Sequence, residues 1–327
     1  MARHTDTDAQ LIELIQKDLP LVSSPFEEIG KQLSIEPADV ILTISRLKSE
    51  GIIRQIGAIF DSSALGYHSA LIAFKVKDGK LDKVGQLIAL NSDVSHCYSR
   101  QADYNLWFTM TVGAQYNLEH KVLLLADTED VDSYLILPAI KVFKIGVFLK
   151  MTDEESIDPA PVTNSAVNRN YVLSAEEKIA IGALQKDLPL TDCPFQKLAN
   201  DCGISEERLL EYARYFIKNG MMRRFAAVLR HTSAGYTSNA MICWNVSADM
   251  LDKIGQMFAA NPAVSHCYER PTFPDWPYSL YTMIHARNES ELKAIIQDLA
   301  VSSGITEYRV LNSLKEYKKS RVLYFID

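Results

Sequence analysis

Hydrophobic residues at helical spacing open the chain, and a short apolar strand follows them. Three groups recur three or four residues apart: Leu11, Leu14 and Ile15; Phe26, Ile29 and Leu33; and Val40, Ile41, Ile44 and Leu47. Each group marks one face of a helix, and Gly51 follows the third group, where glycine favours a helix C-terminus. The apolar stretch that continues to residue 60 predicts a strand. Three short helices and a strand are typical of a winged helix-turn-helix.

The pattern then changes to strands and helices in alternation. The elements predicted are a strand SALIAFKV (69–76), a helix LDKVGQLIAL (81–90), paired strands VSHCYSR (94–100) and YNLWFTMTV (104–112), a helix near 116–126 and a strand near 134–145. The order βαββαβ predicts a ferredoxin-like domain, which is an antiparallel sheet with helices covering one face.

This whole pattern occurs twice along the chain. The matching pieces include IQKDLPL (15–21) and LQKDLPL (184–190), EGIIRQIGAIF (50–60) and NGMMRRFAAVL (219–229), and LDKVGQLIALNSDVSHCY (81–98) and LDKIGQMFAANPAVSHCY (251–268). In the second copy, SAEE at 174–177 has the spacing of a helix capping box. Between the copies, residues 152–170 are polar, contain proline and lack periodicity, which indicates a linker.

The predicted fold class is therefore α+β, a tandem duplication of a winged helix-turn-helix and a ferredoxin-like (βαββαβ) domain. A chain of 327 residues is long enough for several such domains. The predicted boundaries are 1–60 and 61–150 for the helix-turn-helix and ferredoxin-like domains of copy one, 151–170 for the linker, and 171–229 and 230–327 for the same domains of copy two.

Composition places the chain among soluble globular proteins, since 47% of its residues are hydrophobic and 23% are charged. The sequence contains no uncharged apolar run of about 18 residues, so we predict no membrane span. The N-terminus lacks the apolar core of a signal peptide and the five cysteines form no CxxC pair, so we expect a reduced, cytoplasmic protein without a disulfide framework or zinc site. The net charge of −7 argues against a general nucleic-acid binder.

A repeated heptad carries the candidate chemistry, VSHCYSR at 94–100 and VSHCYER at 264–270. Residues two apart in a strand share a face. That alternation predicts one face with Val94, His96, Tyr98 and Arg100, and the same face in copy two with Val264, His266, Tyr268 and Arg270. The opposite face carries small Ser and Cys side chains, which we expect to pack beneath the helices.

A helix-turn-helix joined to a ferredoxin-like domain resembles the Lrp/AsnC family of transcription regulators. The stretches RQIGAIFDSSALGY, VSHCYSRQADYNLWFTM, RRFAAVLRHTSAGY and SHCYERPTFPDWPYSLYTMIH resemble more closely the siroheme decarboxylase family, which shares that architecture. The resemblance covers nearly the whole chain outside the linker and the extreme N-terminus. In the regulator family the open sheet faces of two protomers pack together, so the resemblance implies an intramolecular pseudo-dimer that encloses a cleft.

The resemblance also implies an activity, substrate and partners. Siroheme decarboxylases are carboxy-lyases that remove CO2 from the acetate side chains at positions 12 and 18 of siroheme, in heme d1 or heme b synthesis. They usually act as two related subunits, which here would be fused, and a homodimer or further related subunits would fit the architecture. No added cofactor is implied, because the substrate carries its own iron and its ring accepts the electrons. The alternatives are a DNA-binding regulator and a heme binder without catalysis.

Residue roles follow from that chemistry. A polycarboxylate needs fixed cations, and the planar fork of arginine grips carboxylates. The substrate-binding candidates are Arg223, Arg224, Arg230, Arg270, Arg54, Arg100, Tyr98 and Trp276, and the proton-donor candidates are His266, Tyr268, His231 and His96. An imidazole could instead ligate the siroheme iron. Copy two holds more of the arginines, so we expect the principal site there, with copy one supplying a wall or a weaker site.

Each assignment has a structural alternative. The duplicated histidines and tyrosines could be inherited packing residues, and Arg54 and Arg223 could cap a helix or bind a nearby carboxylate. The loop PTFPDWP (271–277) is stiff because of its prolines, and either stacks an aromatic ring on the macrocycle or packs on its own side chains. The helix-turn-helix segments 36–50 and 205–219 hold no excess of basic residues, so we expect them to be scaffold that binds no DNA.

Overall fold

A computed structural model describes residues 6–146, 171–230 and 236–326 of the chain. The predicted linker at 151–170 and the candidate His231 lie outside these described residues.

Copy one contains five helices and six strands in the described range. They are α1 (Asp6–Lys17), α2 (Pro25–Leu33), α3 (Pro37–Ser49), β1 (Ile53–Phe60), β2 (Tyr67–Val76), α4 (Leu81–Leu90), β3 (Val94–Arg100), β4 (Leu106–Gly113), α5 (Leu118–Ala126), β5 (Val131–Pro138) and β6 (Lys141–Ile145). Copy two follows the same plan. Its elements are α6 (Ala175–Leu184), α7 (Pro194–Asn200), α8 (Glu206–Lys218), β7 (Met222–Leu229), β8 (Ser238–Trp244), α9 (Leu251–Ala260), β9 (Val264–Glu269), β10 (Leu280–Ala286), α10 (Glu289–Ser303) and β11 (Tyr308–Lys319).

Local sequence signals explain several helix ends. Helices α2, α3 and α7 each begin with a proline in the first turn, where its missing N–H costs no hydrogen bond. The predicted capping box is confirmed, since the Ser174 and Glu177 side chains each accept from the other's backbone N–H. Gly51 follows α3 with φ +74°, a left-handed conformation that glycine adopts without strain.

The two helix-turn-helix units share one hydrophobic core. Strand β1 of copy one pairs antiparallel with β7 of copy two to form a two-stranded ribbon. Backbone hydrogen bonds also cross between copies, from Leu19 N–H to Phe225 O (2.7 Å) and from Leu188 N–H to Ile56 O (2.8 Å). The ribbon therefore lies at the junction of the two copies and belongs to both.

The two ferredoxin-like domains exchange the ends of their last strands. All their strands form one sheet in the order β5-β2-β4-β3-β11-β8-β10-β9-β6. The first part of β11 pairs with β8 of its own copy, and the second part pairs with β3 of the other copy. Likewise β5 pairs with β2, whereas β6 pairs with β9 of copy two. Because the edge strands β5 and β6 are consecutive in the chain, the sheet curls back on itself and encloses an interior.

The prediction of one continuous strand near 134–145 was wrong. The segment breaks between β5 and β6, and the N–H of Ile140 already donates to Glu269 O in copy two (2.9 Å). Pro138 ends β5 and offers no N–H to extend the ladder. The break is the point at which the chain leaves the sheet of one copy and joins that of the other.

The predicted face of the heptad needs one correction. The ladder between β3 and β4 shifts register between Val94 and His96, and the ladder between β9 and β10 shifts at the equivalent place. Because such a bulge inserts one residue, Val94 packs with Cys97 under the helices of copy one, and Val264 packs with Cys267 in copy two. Neither valine shares a face with the histidine that follows it.

Among the described residues, no helix has the length and apolar character needed to cross a membrane. In the same part of the chain, no three or more His, Cys, Asp or Glu side chains lie together as metal ligands would.

Candidate active site

The His, Tyr and Arg side chains of both heptads lie on the sheet face opposite the helices. Cys97 marks the helix side, with its Sγ 3.9 Å from Gly85 O of α4, and Cys267 contacts Gly255 O of α9 at 3.6 Å. The alternating residues on β3 and β9 therefore face the interior enclosed by the curled sheet. The expectation that the small side chains pack beneath the helices is confirmed for the two cysteines, which are fully buried there, whereas the Oγ atoms of Ser95 and Ser265 contact Nδ1 of His96 and His266.

Each heptad orders its three polar groups in the same way. The His96 ring stacks on Tyr98 with centroids 6.4 Å apart, and the His266 ring stacks on Tyr268 at 6.0 Å. In each copy the Nδ1 of the histidine lies within hydrogen-bond distance of the Oγ of the preceding serine, at 3.0 Å in copy one and 2.9 Å in copy two. This contact fixes the ring and leaves Nε2 for a ligand.

The heptad arginines lie deeper between the halves. Arg100 donates to Leu311 O (2.7 Å) and Arg270 donates to Leu137 O, so each guanidinium bonds a backbone carbonyl of the opposite copy. Each also lies over the ring of the tyrosine two residues before it, at 5.6 Å and 4.8 Å. Their Nε atoms are buried and have no hydrogen-bond partner in the described ranges. Orphaned buried donors are costly, and an anion bound nearby would lower that cost.

The ribbon β1–β7 adds arginines to the same region. The guanidinium of Arg223 pairs with Asp61 at 2.7 Å, and its Nη1 is buried without a partner among the described residues. The equivalent Arg54 donates to Lys319 O at 3.1 Å. Lys319 in turn lies directly opposite His96 in the β11–β3 ladder. Sequence reasoning missed Lys319, although the basic run KKSR at 318–321 was a visible signal.

The exchange of strands means that each cluster mixes both copies. Arg230 is exposed, its backbone N–H donates to Ile52 O (2.9 Å), and its charge acts on Lys319. Arg230 of copy two therefore lies beside Arg54, on the side of His96. Arg54 and Arg223 each act on the histidine of their own copy, whereas Arg230 of copy two lies on the side of His96. A count of arginines by copy therefore does not locate a principal site.

Trp276 lies elsewhere than predicted. Arg224 acts on Asp18, and its Nη2 also lies 3.9 Å from the place of a Cβ on Gly146, whose N–H donates to Ser265 O of the second heptad. Trp276 is only 2% exposed, packs against Tyr104 and Trp107, and donates its Nε1–H to the Tyr281 hydroxyl (2.8 Å). The prediction that Trp276 binds substrate is therefore unsupported, because the loop uses it to fill the core between the two halves.

Burial and positive charge keep both histidines neutral at neutral pH. Burial in the cleft, with help from Lys319 and Arg54, lowers the pKa of His96 to about 4. Burial also lowers the pKa of His266 to about 4, and charges on His96, Arg223 and Arg270 act in the same direction. We expected imidazoles that titrate near neutral pH. Burial and the surrounding cations disfavour the imidazolium instead.

The two heptad tyrosines differ in their neighbours. Burial raises the pKa of Tyr98, and the charge of the nearby Glu316 carboxylate raises it further. Burial also raises the pKa of Tyr268 to about 12, whereas the Arg270 and Arg223 charges act against that rise. The residue opposite Tyr268 in the β6–β9 ladder is Val142 of copy one, whereas Glu316 of copy two lies opposite Tyr98 in the β11–β3 ladder. Tyr268 therefore faces no acid at that position.

A hollow of about 860 Å³ lies elsewhere, between α2, α3 and Asp192. Its ionisable lining is mainly acidic, with Glu27, Glu36, Asp39 and Asp192 beside a single lysine, Lys31. That charge is wrong for a polycarboxylate, so the cationic region between the heptads, where the His and Tyr side chains are partly exposed, is the better candidate.

Comparison with known proteins shows which families share this architecture. An AsnC-like ligand binding domain matches residues 64–144 and 233–318, and a siroheme decarboxylase NirDL-like HTH domain matches residues 8–54 and 177–223. A siroheme decarboxylase of Hydrogenobacter thermophilus is 38% identical over 97% of this chain and 94% of that protein. The chain belongs to the siroheme decarboxylase family. The predicted fold class, two copies of each domain in one pseudo-dimeric chain, is confirmed.

Other members of the siroheme decarboxylase family match over nearly their full length. The siroheme decarboxylase NirDL subunit of Paracoccus pantotrophus is 31% identical over 96% of both chains. The crystal structure of the siroheme decarboxylase NirDL has a TM-score of 0.77, with 35% identity, and covers 98% of this chain and 95% of that one. The same protein in complex with an iron-uroporphyrin III analogue has a TM-score of 0.76.

Proposed function

We propose that this protein is a carboxy-lyase that removes CO2 from siroheme, with the cleft between the two heptads as its site. The observation that carries the proposal is the pair of His–Tyr–Arg sets facing one interior, surrounded by more cations than carboxylates. Family membership supports the same activity. A relative of this fold was crystallised with an iron tetrapyrrole analogue, and siroheme is itself an iron tetrapyrrole that carries carboxylates.

Binding would use charge that the protein already holds in place. Carboxylates of the substrate would meet the guanidinium groups of Arg54 and Arg223 from the ribbon. The partnerless donors of Arg100 and Arg270 would add positive potential beneath the ring. In a strand the distance from His to Arg of one heptad is roughly 13 Å, which suits a flat macrocycle.

Each decarboxylation breaks the C–C bond between an acetate methylene and its carboxylate. The electron pair enters the conjugated macrocycle, CO2 leaves, and the methylene carbon takes up one proton to become a methyl group. The substrate ring is thus the electron sink, and we propose that no further cofactor is needed. The protein must hold the carboxylate, exclude water and deliver the proton.

We propose that the substrate itself prepares the proton donor. The pKa of His96 and of His266 is near 4 because burial and nearby cations disfavour the imidazolium. A bound polycarboxylate neutralises those cations and raises both pKa values toward the ordinary range. His266 would then carry the proton that the carbon needs, with the Tyr268 hydroxyl as the second donor. A neutral imidazole would equally suit ligation of the siroheme iron.

Anaerobic incubation of the purified protein with siroheme, followed by mass spectrometry, tests the activity. We expect loss of two CO2 units, and NMR of the product should place the new methyl groups at positions 12 and 18. Siroheme that is bound but recovered unchanged would contradict catalysis and leave a binding protein. A gel-shift experiment with genomic fragments tests the regulator alternative, for which we expect no retarded band.

The partners and the pathway are also proposals. A product with two methyl groups fits synthesis of heme d1 or heme b. Sedimentation of the chain alone and with siroheme would report a homodimer, and co-purification from the native source would report related subunits.

A further inference from the structure

The two halves of the cleft differ at two positions that face the heptads. In the β11–β3 ladder, Glu316 lies opposite Tyr98 and Lys319 lies opposite His96. In the equivalent β6–β9 ladder, Val142 lies opposite Tyr268 and Ile145 lies opposite His266. One half therefore has an acid and a base where the other has two aliphatic side chains.

The register of the two ladders is the same, so this difference is one of side chains. The Tyr317 ring packs against Gly85 so closely that a Cβ on this glycine would lie 2.6–2.8 Å from the ring atoms. The Phe143 ring packs against Gly255 in the same way, and a Cβ there would lie 2.5–2.6 Å from its atoms. The backbone N–H groups of Ser320 and Gly146 likewise both donate to the serine of the opposing heptad, at 2.7 Å and 3.1 Å.

Lys319 belongs to a cluster of four cations, which we call the anchor cluster: Lys319, Arg321, Arg54 and Arg230. Arg54 bonds Lys319 O, and positive charges on Arg54 and Arg230 both lower the pKa of Lys319, which burial also lowers. Arg321 donates to Ala58 O, interacts with the Arg54 charge, and has a buried Nη1 without a partner among the described residues.

Few carboxylates offset the anchor cluster. Glu316 acts on Lys319 and also on Tyr98, which it faces in the ladder. Asp187 acts on Arg321 but pairs with Lys48 at 2.7 Å. The other half also holds cations, since Arg223, Arg270 and Lys144 act on His266. There, however, Arg223 is paired with Asp61, and the positions equivalent to Glu316 and Lys319 are aliphatic.

We propose that the two halves of the cleft have different tasks, a deepening that rests on the proposed function. The anchor cluster holds substrate carboxylates that are not lost, and the half around His266, Tyr268, Val142 and Ile145 receives the acetate that reacts. A cation bound to the reacting carboxylate would stabilise the starting anion more than the transition state, in which that charge moves into the ring, and would slow the reaction. Aliphatic neighbours avoid this and suit release of neutral CO2.

Reciprocal substitutions between equivalent positions test this division. In Lys319→Ile we expect the dissociation constant for iron-uroporphyrin III to rise about 10-fold, since one charge-assisted contact is lost, and this loss of affinity should exceed any loss of kcat at saturating siroheme. In Ile145→Lys we expect kcat to fall about 10-fold or more without weaker binding. Lys315→Ile is the matched control, because Lys315 is on the same strand but pairs with Asp82 of α4 outside the cleft.

Unchanged affinity in Lys319→Ile, or an unchanged kcat in Ile145→Lys, would overturn the proposal. Loss of affinity in Lys315→Ile equal to that in Lys319→Ile would show a general charge effect and would also overturn it. If the wild-type protein leaves siroheme unchanged, the proposed function is wrong, and so is the assignment of a reacting half around His266. The binding measurements with iron-uroporphyrin III would still show whether the anchor cluster binds the carboxylates of a tetrapyrrole.

Discussion

At the scale of single residues, identical side chains in the two copies acquire different properties from their neighbours. Tyr98 and Tyr268 occupy equivalent places, and each lies under the guanidinium of its own heptad arginine. Burial and the Glu316 carboxylate opposite Tyr98 both raise the pKa of that hydroxyl, whereas the residue opposite Tyr268 is Val142. The carboxylate makes the proton of Tyr98 harder to remove, and no acid stands at the equivalent position beside Tyr268.

This difference predicts unequal effects of removing the two hydroxyls. In Tyr268→Phe we expect kcat to fall about 100-fold, the size of a lost proton donor, and in Tyr98→Phe by less than about 10-fold. Steady-state rates with siroheme measure both, and absorbance titration with iron-uroporphyrin III checks that binding persists. Equal rates in the two variants would contradict the assignment of Tyr268 as a donor.

At the scale of elements, the exchanged strands and the PTFPDWP loop hold the two halves together. The loop closes on itself through the bridge between Phe273 and Trp276, and Asp275 accepts a hydrogen bond from Tyr104 of the other copy (2.7 Å). The side chains of β6 and β11 pack over glycines of α9 and α4, where only the absence of a Cβ permits the approach.

Trp276→Ala should destabilise the protein strongly. A fully buried tryptophan between the halves leaves a cavity when truncated, and we expect the free energy of unfolding to fall by about 3–5 kcal/mol. Tyr281→Phe, which removes only the acceptor for the Trp276 N–H, should cost about 1–3 kcal/mol. Urea denaturation measures both. A Trp276→Ala loss below that of Tyr281→Phe would contradict the core role of this ring.

Gly255→Ala tests the exchange of strands directly. A Cβ at this position would lie 2.5–2.6 Å from the Phe143 ring of the other copy, so we expect a loss of about 1–3 kcal/mol from overpacking. In the background of Phe143→Ala the same substitution should cost much less. A double-mutant cycle by urea denaturation measures the coupling, and additive losses would show that β6 does not cross over α9.

At the scale of the whole molecule, the positive cleft makes stability depend on pH. His96 and His266 have a folded-state pKa of about 4, below the ordinary value of 6.5. As the pH falls, these two histidines therefore take up protons at a higher pH in the unfolded chain than in the folded protein. The stabilisation from neutral imidazoles is complete above about pH 6.5 and is lost progressively as the pH falls toward 4.

We accordingly expect the Tm to be nearly constant above pH 6.5 and to fall between pH 6.5 and pH 4. The double variant His96→Gln, His266→Gln should show a smaller fall across that window, because it lacks the two groups that gain protons on unfolding. Differential scanning calorimetry at several pH values measures both curves. Parallel curves would contradict buried, neutral histidines.

Much of the local structure could be read from the sequence. The span predicted for α4 (81–90) and that for β3 (94–100) match the structure, because their apolar spacing and their flanking turn residues agree. The repeat also identified the His, Tyr and Arg positions as a set. The bulge after Val94 and the break after Pro138 were missed, because both depend on which strand lies alongside.

The sequence by itself determined two copies of a known architecture, the order of their helices and strands, and the alternation that puts an imidazole, a phenol and a guanidinium on one face of a strand. Only the tertiary structure decided which residues stand opposite them. Pairing across copies joins positions far apart in the chain, as with Lys319 and His96, and no local pattern records it. The low pKa of the histidines has the same origin, since burial and the charges around a group depend on the folded shape.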